Sequence, residues 1–258
     1  MTSRGMVRFN GQDFLEEEDD IALEYPLTII LDGNEFATMV CTPAEMKELV
    51  VGFLASEGII RFYDDIKSLE IDEAKGFAYV DLVNEHSIQK DQHSKRFIGS
   101  CCGKGRQFYF YNDMKTAKTV MSKLTVTAVE CQDLMKKMQE SSTHFQQTGG
   151  VHNAALCTKD GIMVARTDIG RHNALDKLFG YCIMHRIPLR DKLIVFSGRI
   201  SSEVLLKAAK IGVGIVLSKS APTNLALDLA DELGITAVGF IRGQGFNVYT
   251  HQHRIVGI

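Results

Sequence analysis

The sequence has no tryptophan, only four prolines in 258 residues and no long apolar run. A membrane-spanning helix needs roughly 20 consecutive apolar residues, which this chain lacks. Its first residues do not have the charged-then-apolar order of a secretory signal. The six cysteines, at positions 41, 101, 102, 131, 157 and 182, do not follow the spacing of a disulfide framework. These absences predict a cytoplasmic protein whose cysteines are free thiols in a reducing compartment.

A large excess of charge of either sign is also missing. Lysine and arginine total 29, aspartate and glutamate total 32, and the net charge is −3. This balance argues against nucleic acid as a partner, although local basic clusters could still bind one phosphorylated ligand. The zinc deaminase pattern is absent, because His152-Asn153-Ala154 has alanine where glutamate would stand and no Pro-Cys-x-x-Cys occurs. The prediction is therefore a site without a metal.

The first 98 residues predict a small α/β domain that follows a polar tail. Residues 1–20 end in five consecutive acids and are expected to form a solvated, frayed segment. Residues 21–98 contain alternating apolar patterns typical of strands and one helical pattern. The predicted elements are strands over 21–31 and 35–40, a helix that begins at Thr42-Pro43 with Thr42 as its N-cap, and strands over 66–71 and 77–83. Residues 99–125 are expected to be a cysteine loop and a connection.

Residues 126–258 predict a larger three-layer α/β/α domain. Thr127 is the predicted N-cap of its first helix, and short apolar strands then alternate with helices. This alternation predicts a mostly parallel sheet with helices on both faces. The predicted strands are 153–158, 161–166, 192–196, 213–217, 235–241 and 246–249, and the further helices are 173–185, 201–211 and 222–233. Cys41, Cys131, Cys157 and Cys182 fall in strand or helix patterns and are interpreted as packing residues.

Two adjacent cysteines, Cys101 and Cys102, lie in a loop rich in glycine and cationic side chains. Lys104 and Arg106 follow them, and nearby positive charge favours the thiolate, which is the nucleophilic form. The alternative is a loop whose cysteines have no chemical role. A polar, glycine-rich loop should be mobile, so high disorder is predicted for residues 99–106.

Five loops of the larger domain share small residues, backbone N–H groups and at least one histidine, lysine or arginine. They are 148–153, 168–173, 197–202, 218–223 and 241–245. In α/β sheets, ligands bind beyond the carboxyl ends of strands and next to helix N-termini. The loops therefore predict a pocket for phosphate or pyrophosphate. His152 and His172 are candidate acids, bases or phosphate donors, or else members of a loop network, and Asp168 either binds a base or ribose or pairs with Arg171.

Eight motifs, in order, give the chain a resemblance to a known family. They are Glu24-Tyr25-Pro26-Leu27, Cys41-Thr42-Pro43, Gly52-Phe53-Leu54 with Ser56-Glu57-Gly58-Ile59-Ile60, Cys102-Gly103-Lys104, Thr148-Gly149-Gly150-Val151-His152, Asp168-Ile169-Gly170-Arg171-His172-Asn173-Ala174 with Asp176-Lys177, Ser197-Gly198-Arg199 with Ser201, and Ser220-Ala221-Pro222-Thr223. From about residue 21 to its end, the chain resembles the formate dehydrogenase accessory (FdhD) family, sulfur carrier proteins that act on molybdenum cofactor.

The resemblance implies a cytoplasmic homodimer whose larger domain has a cytidine-deaminase-like fold without zinc. It also implies that a cysteine desulfurase loads persulfide sulfur onto a loop cysteine. That sulfur would pass to the molybdenum of bis(molybdopterin guanine dinucleotide), which formate dehydrogenase requires, while the five loops bind the guanine dinucleotide ends. The implied cofactor-binding residues are Phe240, Ile241, Arg242, Gly243, Gln244 and Gly245, together with His152, Arg171, His172, Ser197, Arg199 and Lys219.

The two cysteines depart from the family pattern, which often has Cys-x-x-Cys before Gly-Lys. Cys102 corresponds to the second cysteine when Gly103-Lys104 is the anchor, and Cys101 stands for the first, which is usually taken as the carrier. Either thiol could therefore accept the sulfur, and its neighbour could release it. Two other functions remain open at this point: a non-catalytic chaperone that binds the guanine dinucleotide cofactor, and a nucleotide-modifying hydrolase.

Overall fold

The computed structural model describes residues 2–84, 96–98, 119–142 and 148–257. Its first element is an exposed β-hairpin, so the expectation of a frayed tail was wrong. Strands β1 (Thr2–Phe9) and β2 (Phe14–Ile21) pair antiparallel along their full length. The rings of Phe9 and Phe14 lie 5.0 Å apart beside the turn, and Arg8 pairs with Glu17 at 3.2 Å. Such cross-strand pairs stabilise a hairpin, and they hold the acidic run in a strand.

A five-stranded sheet, which we call the small sheet, has the strand order β5-β6-β3-β4-β7. Its strands are β3 (Tyr25–Leu31), β4 (Asn34–Cys41), β5 (Ile66–Asp72), β6 (Phe77–Leu82) and β7 (Arg96–Ile98). Helix α1 (Met46–Ser56) packs on this sheet, and its Leu49, Val50 and Leu54 are fully buried. The strands and the helix predicted here are thus present, and Asp32-Gly33 forms the turn of the β3–β4 hairpin.

The start of α1 differs from the prediction, because the helix begins at Met46 and Thr42 does not cap it. Its N-cap is Glu45, which has a left-handed φ of 46° and no side-chain capping hydrogen bond. The Thr42 hydroxyl instead accepts a hydrogen bond from the N–H of Ile169 at 3.1 Å. A long-range contact has therefore replaced the local cap that the sequence pattern favours.

The large sheet contains six strands in the order β10-β9-β11-β12-β13-β14. They are β9 (His152–Thr158), β10 (Gly161–Asp168), β11 (Leu193–Phe196), β12 (Ile215–Ser218), β13 (Thr236–Arg242) and β14 (Gly245–Val248). Only β11, β12 and β13 run parallel, whereas the pairings of β9, β10 and β14 are antiparallel. The prediction of a mostly parallel sheet was wrong. Two-residue connections join β9 to β10 and β13 to β14, and so short a connection can form only an antiparallel hairpin.

Helices cover both faces of the large sheet. They are α2 (Ala128–Ser141), α3 (Arg171–Met184), α4 (Ser202–Ile211) and α5 (Asn224–Leu233). Along β9, Ala154 and Leu156 pack with α3, α4 and α5, while Ala155 and Cys157 pack with α2. This alternation produces three layers. It confirms the predicted fold class, a small α/β unit followed by a larger α/β/α unit.

Two predicted details of the large unit are also clear. Thr127 caps α2 as expected. Its hydroxyl accepts a hydrogen bond from the N–H of Glu130 at 3.2 Å, and the Glu130 carboxylate accepts one from the Thr127 N–H at 2.7 Å. Strands β8 (Val126–Thr127) and β15 (Ile255–Val256) pair with each other as a separate two-stranded sheet. The domain boundaries themselves stay a prediction.

Helices α1 and α3 cross at two glycines. A Cβ atom at Gly52 would lie 1.8 Å from the carbonyl oxygen of Asp176, and one at Gly180 would lie 1.9 Å from that of Glu48. The Glu48 carboxylate also accepts two hydrogen bonds from the Arg166 guanidinium, with Nη2 2.7 Å from Oε1. Backbone contact and an ion pair therefore hold the small sheet's helix against the larger unit.

Candidate functional site

All five predicted loops lie at one edge of the large sheet, which we call the rim (residues 148–153, 168–173, 197–202, 218–223 and 241–245). Strands β11, β12 and β13 are parallel, so their carboxyl ends meet at one edge. Strand β9 runs opposite to β11 and to β10, which brings the start of β9 and the end of β10 to the same edge. The arrangement matches the place where α/β sheets bind ligands.

Hydrogen bonds join four of the five rim loops, those at 148–153, 197–202, 218–223 and 241–245. The Ser197 hydroxyl accepts from the N–H of Asn153 at 2.9 Å, and the Ser220 hydroxyl donates to the Ser197 carbonyl at 3.1 Å. The Arg242 guanidinium donates from Nε to the Lys219 carbonyl at 3.2 Å. Predicted residues Ser197, Lys219 and Arg242 thus belong to one connected surface, in which Ser197 and Lys219 are partly exposed and Arg242 is exposed.

The two rim histidines are partly buried near Arg171. His172 Nε2 lies 3.0 Å from Glu203 Oε2. Burial lowers the pKa of His152 below its usual value, and the positive charge of Arg171 lowers it further. Burial is also the main cause that lowers the pKa of His172, although Glu203 opposes this. In both rings the shift favours the neutral form, in which one ring nitrogen is a donor and the other an acceptor.

Arg171 is the first residue of α3, where the backbone N–H groups favour anions. Its Nε atom is buried and has no hydrogen-bond partner among the residues that the structure describes. The N-cap of this helix, Gly170, supplies no side-chain capping bond. The start of α3 therefore combines a positive side chain with backbone donors, as a phosphate-binding site requires.

The segment 240–245 contains a β-bulge and the turn that joins β13 to β14. Phe240 has a φ of 56°, which is rare for a bulky residue, and the register of β13 and β14 shifts between Gly239 and Arg242. The Phe240 ring is 39% exposed, and the Arg242 guanidinium lies 5.8 Å from its centroid. Gly243, Gln244 and Gly245 are exposed as well. Ile241 differs, since its side chain is buried in the core with α2 and can offer a ligand only its backbone.

Arg199, also predicted for the site, is exposed in the loop before α4. Neither role predicted for Asp168, binding a base or ribose or pairing with Arg171, agrees with the structure. Asp168 is fully buried and pairs with Lys177 at 2.8 Å, so it neither faces a ligand nor pairs with Arg171. Sequence reasoning missed this pair and also the contact of His172 with Glu203. One local signal could have indicated a buried ion pair: Asp176 and Lys177 are adjacent charged residues on a helix that is buried on both sides.

The four described cysteines are unsuited to sulfur chemistry. Cys41, Cys131, Cys157 and Cys182 are buried free thiols, and burial is the main cause that raises the pKa of each to about 12. A thiol with so high a pKa is not a nucleophile at neutral pH. Cys101 and Cys102, and the mobility predicted for residues 99–106, lie outside the described residues.

The strand that precedes the two adjacent cysteines ends close to the rim. Strand β7 pairs in parallel with β4, with Ile98 beside Met39. Three residues after Met39, the Thr42 N–H donates to the Asp168 carboxylate at 3.0 Å. The chain therefore leaves β7 on the side of the small sheet that touches the rim, three residues before Cys101.

Two features bear on metals and membranes. Within the described residues, no group of three His, Cys, Asp or Glu side chains could hold a metal ion. The predicted absence of zinc stays a prediction. Of the helices that are described, none is both long and apolar enough to span a membrane.

Comparison with known proteins identifies the family, since the FdhD/NarQ family model matches residues 22–256. This chain belongs to the FdhD/NarQ family. Sulfur carrier protein FdhD of Geobacillus kaustophilus is 65% identical over 253 residues, which cover 98% of this chain and 96% of that protein. The Bacillus subtilis protein of the same name is 59% identical over 98% of this chain and 96% of its own length. The resemblance inferred from the eight motifs is confirmed.

A crystal structure shares the fold. It is that of a Desulfotalea psychrophila protein assigned as a formate dehydrogenase accessory protein. The two chains superpose with a TM-score of 0.80 over 99% of each, at 24% sequence identity. At this identity the likeness concerns the fold alone, and it agrees with the two-unit α/β architecture described above.

Proposed function

We propose that this protein is a cytoplasmic sulfur carrier in the maturation of formate dehydrogenase. The supporting observation is its family membership, at 53–65% identity to proteins named sulfur carrier protein FdhD. In this proposal a cysteine desulfurase is the sulfur donor, and bis(molybdopterin guanine dinucleotide) is the acceptor and substrate. The protein acts as a homodimeric sulfurtransferase, built from a small α/β domain over 21–98, a cysteine loop and connection over 99–125, and a larger domain over 126–258.

The first step loads sulfur onto Cys101 or Cys102. The thiolate attacks the outer sulfur of the desulfurase persulfide, a new S–S bond forms, and the desulfurase cysteine leaves as a thiolate. No net oxidation occurs, because one persulfide replaces another. Lys104 and Arg106 support this step, since positive charge nearby lowers the pKa of a thiol. The high pKa of the buried cysteines supports assigning the step to this pair.

The second step releases the sulfur to the cofactor. The outer sulfur leaves as sulfide with two electrons, which the neighbouring cysteine supplies when its thiolate attacks the inner sulfur. The two cysteines then form a disulfide, which an external thiol reduces before the next cycle. Molybdenum accepts the released sulfide.

The rim is the proposed site for the guanine dinucleotide ends of the cofactor. Arg171, Arg199 and Lys219 would balance phosphate charge, together with the backbone N–H groups at the start of α3. The exposed Phe240 ring offers a face for the guanine base. His152, His172 and Ser197 would donate or accept hydrogen bonds, as would the backbone of 241–245. The proximity of the end of β7 to the rim supports a transfer between the cysteines and a cofactor bound there.

The test is intact-protein mass spectrometry after incubation with a cysteine desulfurase and cysteine. The wild type should gain one reducible sulfur atom, and the double variant Cys101→Ala/Cys102→Ala should gain none. Cys157→Ala is the matched control, because that thiol is buried and should not take part in loading. The two single variants identify the carrier.

Formate dehydrogenase activity in cells completes the test. Cells that rely on the Cys101→Ala/Cys102→Ala variant should lack this activity, whereas Cys157→Ala should support it. Normal activity with the double variant would contradict a sulfur carrier and favour a chaperone that only binds the cofactor.

A further inference from the structure

Two charged side chains, Asp168 and Lys177, are completely buried where strand β4 meets the rim. Both have 0% side-chain exposure, and Lys177 Nζ lies 2.8 Å from Asp168 Oδ2. Removing two charges from water is costly, and well-packed apolar residues of similar volume are often as stable as a buried ion pair. A contribution to stability therefore does not explain why this position is charged.

The Asp168 carboxylate fixes the beginning of α3. Its Oδ1 accepts from the Gly170 N–H at 2.8 Å and from Asn173 Nδ2 at 2.9 Å. These two residues flank Arg171 and His172, the rim side chains assigned to nucleotide binding. The conformation of this turn thus depends directly on the position of one carboxylate.

The other contacts tie the same turn to the end of β4. Asp168 Oδ2 accepts from the Thr42 N–H at 3.0 Å, and Lys177 Nζ donates to the Thr42 carbonyl and the Thr167 carbonyl, each at 3.1 Å. Asn173 Nδ2 donates to the Val40 carbonyl at 2.8 Å. Strand β4 in turn pairs with β7, the strand that precedes the cysteines. The pair therefore lies between the cysteine side and the nucleotide side of the proposed site.

We propose that Asp168 and Lys177 are positioning residues, which hold Arg171 and His172 in the geometry that binds the guanine dinucleotide by anchoring the start of α3 to the end of β4. The inference rests on the proposed function, because it takes the rim as the nucleotide site. Neither residue touches the ligand, and neither takes part in sulfur loading. Buried ion pairs are known to specify one arrangement of a fold over others in some proteins.

The experiment uses the full chain with both charges removed together. Asp168→Asn alone would leave the buried Lys177 with only the exposed Glu45 carboxylate, 3.9 Å away, as a counter-charge, and could prevent folding. The double variant Asp168→Asn/Lys177→Met avoids this. Glu48→Gln/Arg166→Met is the matched control, since it removes another ion pair between the two units, at 13% and 16% exposure, and touches no rim residue.

Two quantities are measured on each folded variant, the Kd for GDP and the extent of persulfide loading by a cysteine desulfurase. A misplacement of about 1 Å can cost an enzyme on the order of 100-fold in rate. Since binding of GDP depends on the same placement of side chains, we expect the Kd for GDP of Asp168→Asn/Lys177→Met to rise about tenfold or more. Loading should stay at the wild-type level. The control variant should keep both values.

The outcomes separate the inference from the proposed function. An unchanged GDP affinity in Asp168→Asn/Lys177→Met overturns the inference alone. The inference is also overturned if GDP binding and persulfide loading both fall in proportion to the folded fraction measured by circular dichroism, because that result marks a purely structural role. If the wild type does not bind GDP, the nucleotide site of the proposed function fails and the inference fails with it. If the wild type binds GDP but does not load sulfur, the carrier role fails. The positioning role still stands in that case, provided that Asp168→Asn/Lys177→Met binds GDP more weakly, as expected.

Discussion

Replacing Gly180 with alanine tests one of the two close backbone contacts between α1 and α3. The new Cβ would lie 1.9 Å from the Glu48 carbonyl oxygen, and the neighbouring atoms are backbone atoms of α1 that cannot rotate away. Overpacking of a core costs about 1–3 kcal/mol, and a rigid neighbour places this case near the upper value. Alanine regains about 1 kcal/mol, because it is a better helix former than glycine. The expected net loss is about 2 kcal/mol.

The assay is thermal unfolding followed by circular dichroism. For a chain of this size, about 2 kcal/mol corresponds to a decrease in Tm of roughly 4–8 °C. Gly161→Ala is the control, because a Cβ there meets nothing within 4 Å and φ is not positive. A Gly180→Ala protein with the Tm of Gly161→Ala would refute the close approach of α1 and α3.

Three further predictions concern local features. Thr127→Ala should lower the free energy of unfolding by about 1 kcal/mol in urea titrations, because it removes a capping box. Thr223→Ala is the control, since Thr223 is an N-cap without a side-chain hydrogen bond and its replacement should not lower this free energy. Equal losses in the two variants would contradict the cap. Burial lowers the pKa of His152 in the folded protein. As pH falls below about 6.5, His152 therefore binds a proton more readily in the unfolded chain than in the folded one, and the free energy of unfolding should fall. His152→Gln should therefore weaken the dependence of Tm on pH, whereas His253→Gln, at an exposed position, should leave it unchanged. An unchanged dependence in His152→Gln would contradict the lowered pKa of His152. Iodoacetamide should modify only Cys101 and Cys102 in the native protein and all cysteines in urea, as read by mass spectrometry; native modification of a buried cysteine would contradict its burial. The cysteines that should react only in urea are Cys41, Cys131, Cys157 and Cys182.

Much of the fold could be predicted from the sequence because its signals are local. The apolar periodicity of 173–185 and the capping pattern at Thr127 each lie within one element, and both elements are present. Three of the rim loops could be predicted to meet as well, since they follow the parallel strands β11, β12 and β13, whose carboxyl ends lie at one edge. The loops at 148–153 and 168–173 reach that edge only because β9 and β10 are antiparallel. The eight motifs were sufficient to indicate the family.

The errors have a common cause, which is that contacts between distant residues leave no local pattern. Thr42 has the sequence of an N-cap, yet its hydroxyl accepts from the N–H of Ile169, which is 127 residues away. The acidic run at 16–20 resembles a solvated tail until β1 pairs with it. Ile241 matches the cofactor-binding segment by sequence, but the bulge directs its side chain into the core.

The sequence by itself determined most of the secondary-structure elements, the chemistry of the loops and the family, because each depends on residue types at short spacing. The tertiary structure decided which of those residues face the rim and which are buried beneath it. It paired Asp168 with Lys177, brought His172 to Glu203, and placed the end of β7 near the start of α3. The position of β7 depends on how the two units meet, and there α1 packs closely against α3 because Gly52 lies against the backbone of Asp176 and Gly180 against that of Glu48.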